Sequence, residues 1–218
     1  MSSTALPVDE LIRRLPTYFT ISCVSARNSG KSVLVQELVR KLIDQHRVDI
    51  VMVMSGSAGL NHDFEFLPQK LVMGFSEAVL SRVWANQRST DEKDRKHVLV
   101  VIDDALGTPE SFRSLTLQRI FSQGRHVFIS CIIVSQHTAY LLTPIIKGNS
   151  DIILWSRLNR QQLKSLWEST TNIDLKTFVA ISEKLGGVNY NFMLLDNYSK
   201  TTSKNFTDFL TYIRAESP

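Results

Sequence analysis

Residues 25–32 read Ser-Ala-Arg-Asn-Ser-Gly-Lys-Ser and join an apolar run at 18–24 to a stretch at 33–43 with apolar residues at helical spacing. This order predicts a strand, a tight loop and a helix that begins at the Gly-Lys-Ser triplet. Such a loop directs successive backbone N–H groups and a helix N-terminus towards a phosphate. The residues predicted to bind nucleotide are Ser25, Ala26, Arg27, Asn28, Ser29, Gly30, Lys31, Ser32 and Val33.

The loop departs from the usual G-x-x-x-x-G-K-[ST] pattern at one position, because Ser25 stands where the first glycine is expected. Serine can occupy this position only if its φ stays negative or if some strain is tolerated. In such loops the lysine reaches the β- and γ-phosphates and the following hydroxyl ligates Mg²⁺. We therefore expect Lys31 to bind ATP and Ser32 to bind Mg²⁺.

A second motif follows about 70 residues later, where residues 97–104 read His-Val-Leu-Val-Val-Ile-Asp-Asp. A continuous apolar run is typical of a parallel strand that is covered on both faces. Acids at the carboxyl end of such a strand lie where open α/β sheets bind ligands. We expect Asp103 to hold the metal shell and Asp104 to orient or deprotonate water, unless both simply open a solvated loop. Together the two motifs predict hydrolysis of a nucleoside triphosphate.

Apolar runs alternate with helical ones along the 218 residues. This alternation predicts one α/β domain over 1–218, with a mostly parallel central sheet and helices on both faces. Strands are predicted at 18–24, 49–54, 97–103, 127–134, 151–155 and 190–196, and helices at 31–45, 75–89, 110–122, 159–168 and 174–185. A short closing helix is predicted over 206–213.

Composition restricts the class of protein further. A hydrophobic content of 43% and a charged content of 21% are globular values. No apolar run of about 18 residues is present, and the N-terminus lacks a secretory signal, so we expect a soluble intracellular protein. A net charge of +4 is compatible with a nucleic-acid partner. The two cysteines, Cys23 and Cys131, lie in apolar runs and are predicted to be buried, reduced thiols.

A more specific pattern lies downstream, where residues 120–136 read Ile-Phe-Ser-Gln-Gly-Arg-His-Val-Phe-Ile-Ser-Cys-Ile-Ile-Val-Ser-Gln. Residues 140–149 continue Tyr-Leu-Leu-Thr-Pro-Ile-Ile-Lys-Gly-Asn before a further strand. A Gly-Arg-His triplet before a strand that ends in Gln, followed by Pro and a basic-x-Asn triplet, resembles viral genome-packaging ATPases of the poxvirus, giant-virus and virophage type. These belong to the FtsK–HerA superfamily of RecA-like motors. The resemblance covers about residues 17–200.

The resemblance implies roles for individual residues. Asp104 is the general base, although many relatives carry Glu there, and Gln136 senses the γ-phosphate or positions water. Arg125 is implied as an arginine finger that acts on the neighbouring subunit, where a cation would stabilise the transferring phosphoryl group. The alternatives are a polar residue at a sheet edge for Gln136, and a local ion pair or DNA contact for Arg125. Lys147 stands where many relatives carry Arg.

The function implied by the resemblance is a ring-forming ATPase motor that drives double-stranded DNA into a capsid, with a capsid or portal protein as a further partner. Its place of work would be the host-cell cytoplasm, a viral factory or the virion. The candidate DNA contacts, which would hold phosphates without reading sequence, are Lys93, Arg95, Lys96, Arg157, Arg160 and Lys164. Two alternatives remain open: a cellular FtsK–HerA-type translocase or helicase, and a P-loop assembly protein that binds nucleotide without hydrolysis.

Overall fold

The computed structural model describes residues 5–56, 58, 63–104, 111, 114–136, 143–171, 173–203 and 205–216. Its strands are β1 (Thr20–Ser25), β2 (Ile50–Ser55), β3 (Val72–Met73), β4 (Val98–Asp103), β5 (Ile129–Ser135), β6 (Ile152–Ser156), β7 (Asn191–Asp196) and β8 (Leu210–Arg214). They form one sheet in the order β3-β2-β4-β5-β1-β6-β7-β8. The first six strands in this order run parallel, whereas β7 is antiparallel to both of its neighbours, β6 and β8. The predicted α/β class and mostly parallel sheet are confirmed.

Helices cover both faces of this sheet. They are α1 (Val8–Arg14), α2 (Lys31–Asp44), α3 (Glu77–Ser89), α4 (Leu115–Gln123), α5 (Pro144–Gly148), α6 (Arg160–Thr170), α7 (Leu175–Gly186), α8 (Asn197–Thr202) and α9 (Phe206–Phe209). Alternate residues of each strand point to opposite faces, so β4 sends Val98, Val100 and Ile102 towards α3 and α4. Leu99 and Val101 of the same strand face α1 and α2 on the other side. Burial on both faces explains why the central strands are continuously apolar.

The two ends of the chain differ from the sequence-based expectation. The predicted closing helix over 206–213 is wrong beyond Phe209, because residues Leu210–Arg214 form β8 and pair with β7. The amide N–H of Leu6 donates to the carbonyl of Tyr212, and α1 then buries Leu11 and Ile12. The packed core therefore includes residues on both sides of the range 17–200 that the resemblance covers. The predicted helix over 110–122 is described from Leu115, and its first part lies mostly outside the described residues.

Both cysteine thiols are buried and reduced in the central strands, as predicted. Burial raises the pKa of Cys23 to about 12, and it raises that of Cys131 as well. The two side chains therefore act as small apolar groups in the packing. None of the described helices has the length and apolar character needed to cross a bilayer.

Candidate functional site

The candidate site forms at the carboxyl edge of the parallel strands, where β1, β4 and β5 end side by side. Val24 of β1 is in register with Ser135 of β5, and Asp103 of β4 is in register with Val134. This alignment brings the nucleotide-binding loop after β1, the acids after β4 and Gln136 after β5 to one place. Open α/β sheets bind ligands at such an edge.

The nucleotide-binding loop leads directly into the N-terminus of α2. Gly30 is the N-cap residue of this 14-residue helix, and the first turn carries no acidic side chain that would repel an anion. Gly30 has a φ of 92° and Asn28 a φ of 55°, both in the left-handed region. Ser25 is instead the last residue of β1 and is extended. Serine is tolerated at this position because the tight turn begins after it.

Four side chains form a continuous chain of contacts across the site. The Nζ atom of Lys31 lies 3.2 Å from Oδ2 of Asp104. The amide Nε2 of Gln136 donates to the same carboxylate oxygen at 2.5 Å. The Nε atom of Arg27 donates to Oε1 of Gln136 at 3.1 Å. The structure thus brings together the lysine, the acid and the glutamine that the two motifs and the resemblance single out.

Asp104 adopts an unusual backbone conformation, with a φ of 51°. Its amide N–H donates to the carbonyl of Val134 at 3.2 Å, which ties the residue to the end of β5. Left-handed backbone is rare for residues other than glycine and is concentrated at functional sites. This conformation turns the side chain of Asp104 out of the line of β4, and 42% of that side chain is exposed.

Asp103 has the opposite environment, since only 3% of its surface is exposed. Burial raises the pKa of this carboxyl group to about 6, while the Lys31 ammonium lowers it in part and the charges of Asp104 and Asp63 raise it. Its Oδ1 atom has no hydrogen-bond partner within the described residues. A buried oxygen without a partner, at the edge of the sheet where Lys31 and Ser32 begin α2, suits a bound cation.

The donor set fits Mg²⁺ because this ion keeps several waters and is held by few protein oxygens together with substrate phosphates. Within the described ranges, no group of three or more His, Cys, Asp or Glu side chains could form a metal site from protein ligands alone. Asp103 and Ser32 are accordingly the residues suited to share a metal with a nucleotide.

Arg125 lies far from this edge. It belongs to a 3₁₀ turn at Gly124–Val127 that precedes β5, whereas Gln136 follows the same strand. Seven strand residues separate the two edges by about 20 Å or more. Arg125 therefore does not approach Lys31 or Asp104 of its own chain, and a role in hydrolysis requires another subunit.

Other residues of the Gly-Arg-His pattern lie at the amino edge of the sheet, which is the end at which the parallel strands begin. A Cβ atom on Gly124 would lie 2.7 Å from the carbonyl oxygen of Ile129, so only glycine allows this close approach. Arg125 and Asn149 line a cavity of about 620 Å³ at this edge, together with Asp151. Burial raises the pKa of Asp151, and the charge of Arg125 lowers it in part. Asn149 follows the last residue of α5, and its side-chain amide donates to the carbonyl of Ile145.

Several candidate DNA contacts are engaged within the chain. Arg160 pairs with Glu183 at 3.1 Å, and Lys164 with Glu168 at 3.8 Å. Arg95 donates to the carbonyls of Thr90 and His126, whereas Lys93 and Lys96 are exposed. Because Arg160 and Lys164 of α6 already pair with acids of α7 and α6, these contacts favour a solvated surface over a continuous basic track.

Arg157, also a candidate DNA contact, contacts the nucleotide-binding loop instead. Its Nη1 atom donates to the carbonyl of Asn28 at 3.1 Å and to Oδ1 of Asn189 at 2.9 Å. The neighbouring Tyr190 packs its ring against Gly30. Sequence reasoning missed Asn189 and Tyr190, because neither belongs to a recognisable motif and only strand pairing brings them to the loop.

Comparison with known proteins adds independent information. The family model described as Poxvirus A32 protein matches residues 10–145. The uncharacterized protein 075L of Invertebrate iridescent virus 6 is 23% identical over 184 residues, which make up 81% of this chain and 70% of that protein. The family match covers more than half of the chain and includes the nucleotide-binding loop, both acids and Gln136.

Solved structures resemble the fold over nearly the whole chain. The genome packaging NTPase B204 from Sulfolobus turreted icosahedral virus 2, in complex with AMPPCP, superposes with a TM-score of 0.62 at 15% identity. The superposition covers 93% of this chain and 100% of B204. The cytoplasmic domain of the Type VII secretion ATPase EccC from Thermomonospora curvata gives a TM-score of 0.59 at 14% identity, over 90% of this chain and 25% of that one. At these identities the likeness shows a shared P-loop ATPase fold.

Proposed function

The chain belongs to the family of the poxvirus A32 protein, and on this premise we propose that it is an ATP-hydrolysing motor that moves double-stranded DNA into a viral capsid. The membership agrees with the resemblance to viral genome-packaging ATPases that the Gly-Arg-His region carries. The observation that supports hydrolysis most directly is the contact of Lys31 and Gln136 with one carboxylate oxygen of Asp104. A P-loop protein that only bound nucleotide would not need an acid and an amide arranged in this way.

Each residue of the site has a defined task in the proposed reaction. The loop N–H groups and Lys31 bind the phosphates of ATP, and Gln136 positions a water molecule beside the γ-phosphate. The oxygen of this water forms a bond to the γ-phosphorus while Asp104 accepts a proton from the water. The bond between the γ-phosphorus and the β–γ bridging oxygen breaks, and ADP and phosphate are released. Ser32 and Asp103 would hold Mg²⁺, which neutralises phosphate charge when it is bound.

Arg125 completes the site from a neighbouring subunit in the proposed ring. Its side chain is exposed at the amino edge, where another copy can reach the guanidinium. A cation supplied in this way stabilises the charge on the transferring phosphoryl group. The proposed motor works in the host-cell cytoplasm or a viral factory, with a capsid or portal protein as its docking partner.

Phosphate release from ATP, measured with and without duplex DNA, tests the proposal. The wild type is expected to hydrolyse ATP, and the Lys31→Ala variant is expected to lose most of its ATP affinity because the phosphate charge goes unpaired. Binding without any turnover would instead favour an assembly protein.

The DNA partner is tested separately by measuring the affinity for several unrelated duplexes between low and physiological salt. A motor that holds phosphates binds all of them alike, and its affinity falls as salt rises. A flat salt response or a preference for one sequence would contradict the proposed DNA track.

A further inference from the structure

The conformation of the nucleotide-binding loop is held by residues outside its motif. We propose that Arg157 and Tyr190 are positioning residues that fix the loop in its phosphate-binding conformation. Together with Asn189, these two residues form what we call the loop bracket. The proposal rests on the proposed ATPase function, since it names what holds the phosphate site of that activity in shape.

The loop bracket contacts two successive carbonyl groups of the loop. Arg157 donates from Nη1 to the carbonyl oxygen of Asn28 at 3.1 Å. The amide N–H of Tyr190 donates to the carbonyl oxygen of Ser29 at 3.2 Å. Both bonds connect the loop to parts of the chain that follow β6 or precede β7, on the side of β1 away from Gln136.

These two bonds determine where the loop N–H groups point. In a planar trans peptide, the C=O of one residue and the N–H of the next point in opposite directions. Holding the Asn28 carbonyl against Arg157 therefore turns the N–H of Ser29 away from the loop bracket. In the same way, holding the Ser29 carbonyl turns the N–H of Gly30 away. Successive N–H groups with a common direction form the concave anion site that a phosphate needs.

The backbone angles show that this arrangement needs external support. Arg157 has a φ of 52° and Tyr190 a φ of 65°, and Asn28, whose carbonyl accepts from Arg157, has a φ of 55°. Left-handed backbone is unfavourable for most residues with a Cβ atom, so it persists where surrounding contacts require it. Three such residues meeting at one loop indicate that the contacts among them are maintained against local preference.

The ring of Tyr190 encloses the glycine at the helix start. A Cβ atom on Gly30 would lie 2.5 Å from Cδ1 of Tyr190, so the ring occupies the space beside the glycine Cα. The loop bracket is itself well anchored. The N–H of Arg157 donates to the carbonyl of Gly186, and the carbonyl of Tyr190 accepts from the N–H of Ala215. Residues that directly follow β6 and directly precede β7 thus contact the loop.

The first experiment measures ATP binding by calorimetry, together with kcat and KM, for Arg157→Gln. Its matched control is Lys184→Gln, which removes one positive charge from the exposed surface of α7 without touching the loop. Loss of one hydrogen bond from a charged donor is expected to weaken ATP binding about tenfold. KM should rise in parallel while kcat at saturating ATP stays near the wild-type value, because the lost interaction acts on binding. Lys184→Gln should bind ATP as the wild type does.

A second pair of variants tests the ring. Tyr190→Phe keeps the ring and should bind ATP normally, whereas Tyr190→Ala leaves Gly30 unsupported and should bind several-fold more weakly. Asn189→Ala, which removes an exposed acceptor of Arg157, should weaken binding less than Arg157→Gln and serves if Arg157→Gln does not fold. The proposal would be overturned if Tyr190→Ala binds ATP as the wild type does and the Arg157 contact proves equally dispensable. That contact is judged from Arg157→Gln if this variant folds, and otherwise from Asn189→Ala.

Amide hydrogen exchange provides a readout that needs no ATP. Arg157→Gln should speed exchange in the loop at residues 26–30 and leave the β1 and β5 amides protected, and equal loop exchange in wild type and variant would overturn the proposal. If the wild type fails to bind ATP and matches Lys31→Ala, the proposed function is wrong. The exchange rates still decide in that case whether the loop bracket holds the loop.

Discussion

The ammonium nitrogen of Lys31 lies 3.2 Å from Oδ2 of Asp104, so the expected phosphate ligand and the expected general base form an ion pair with each other. The Lys31 side chain is only 11% exposed, which holds it close to this carboxylate. A γ-phosphate that binds Lys31 must compete with Asp104. Binding of ATP would therefore break the ion pair of Asp104 with Lys31. The carboxylate would then be free to contact the attacking water once the substrate is bound.

Replacement of Asp104 by Asn separates binding from chemistry. The variant should bind Mg²⁺-ATP at least as tightly as the wild type, because the competing charge is gone, and it should not turn over. An ion pair with one exposed partner contributes at most about 1 kcal/mol, so the gain in affinity should be about fivefold or less. Calorimetry and phosphate release measure the two effects. Loss of ATP binding would exchange the roles of Asp103 and Asp104, and turnover near the wild-type rate would place the base elsewhere.

Gln136 connects Arg27 to Asp104 through its two amide ends. Gln136→Ala should lower kcat by roughly a hundredfold with little change in ATP affinity, because the water would no longer be positioned. Arg27→Met should show a smaller loss of kcat, since Gln136 keeps its bond to Asp104. Steady-state kinetics check both, with the exposed Gln161→Ala on α6 as the control. Full activity in Gln136→Ala would leave this residue as a polar group at a sheet edge.

Arg125 at the amino edge predicts complementation between two inactive proteins. Arg125→Ala should bind ATP normally and hydrolyse it more slowly by about three orders of magnitude if the residue acts as a finger. Lys31→Ala should fail to bind ATP. A mixture of the two contains some interfaces with Lys31 from one chain and Arg125 from the other, and part of the activity should return. If the proteins co-assemble and no activity returns, Arg125 has a structural or DNA-contact role.

The buried Asp103 makes stability depend on pH. Because burial raises its pKa to about 6 from the ordinary value of 3.8, the folded protein holds this proton more tightly than the unfolded chain does. The resulting stabilisation is complete below the unfolded pKa and is lost as the pH rises through about 6. Asp103→Asn should therefore raise the free energy of unfolding by about 1–3 kcal/mol at pH 7.5 and have little effect at pH 4. Urea unfolding at the two pH values tests this, and an equal effect at both would contradict it.

The parallel core of the fold was predictable because each strand is a continuous apolar run between polar segments. The last strand, β8, was not predictable in this way. Asn205 caps the start of α9, because its Oδ1 accepts from the N–H of Thr207, so a helix does begin where one was predicted. Pairing of β8 with β7 and with Leu6 then overrides this local preference after a single turn. No local pattern carries information about that pairing.

The same reasoning explains which part of the site was predictable. Lys31, Asp103, Asp104 and Gln136 each follow or precede a strand within a short motif, and neighbouring parallel strands bring their ends together. Arg157 contacts Asn28 across a separation of 129 residues. Its role depends on the pairing of β1 with β6 and on a left-handed backbone at its own position, neither of which a local motif encodes.

Burial of Cys23 and Cys131 also makes the native protein suitable for spectroscopy. A thiol reacts as its thiolate, and both sulfurs are enclosed and held in the protonated form by their surroundings. A maleimide dye should therefore not label these two cysteines while the protein is folded. A cysteine introduced at an exposed position such as Lys184 would be the preferred target for the dye, with both natural cysteines left in place. Movements of the proposed motor on DNA could then be followed by fluorescence in an otherwise unaltered chain.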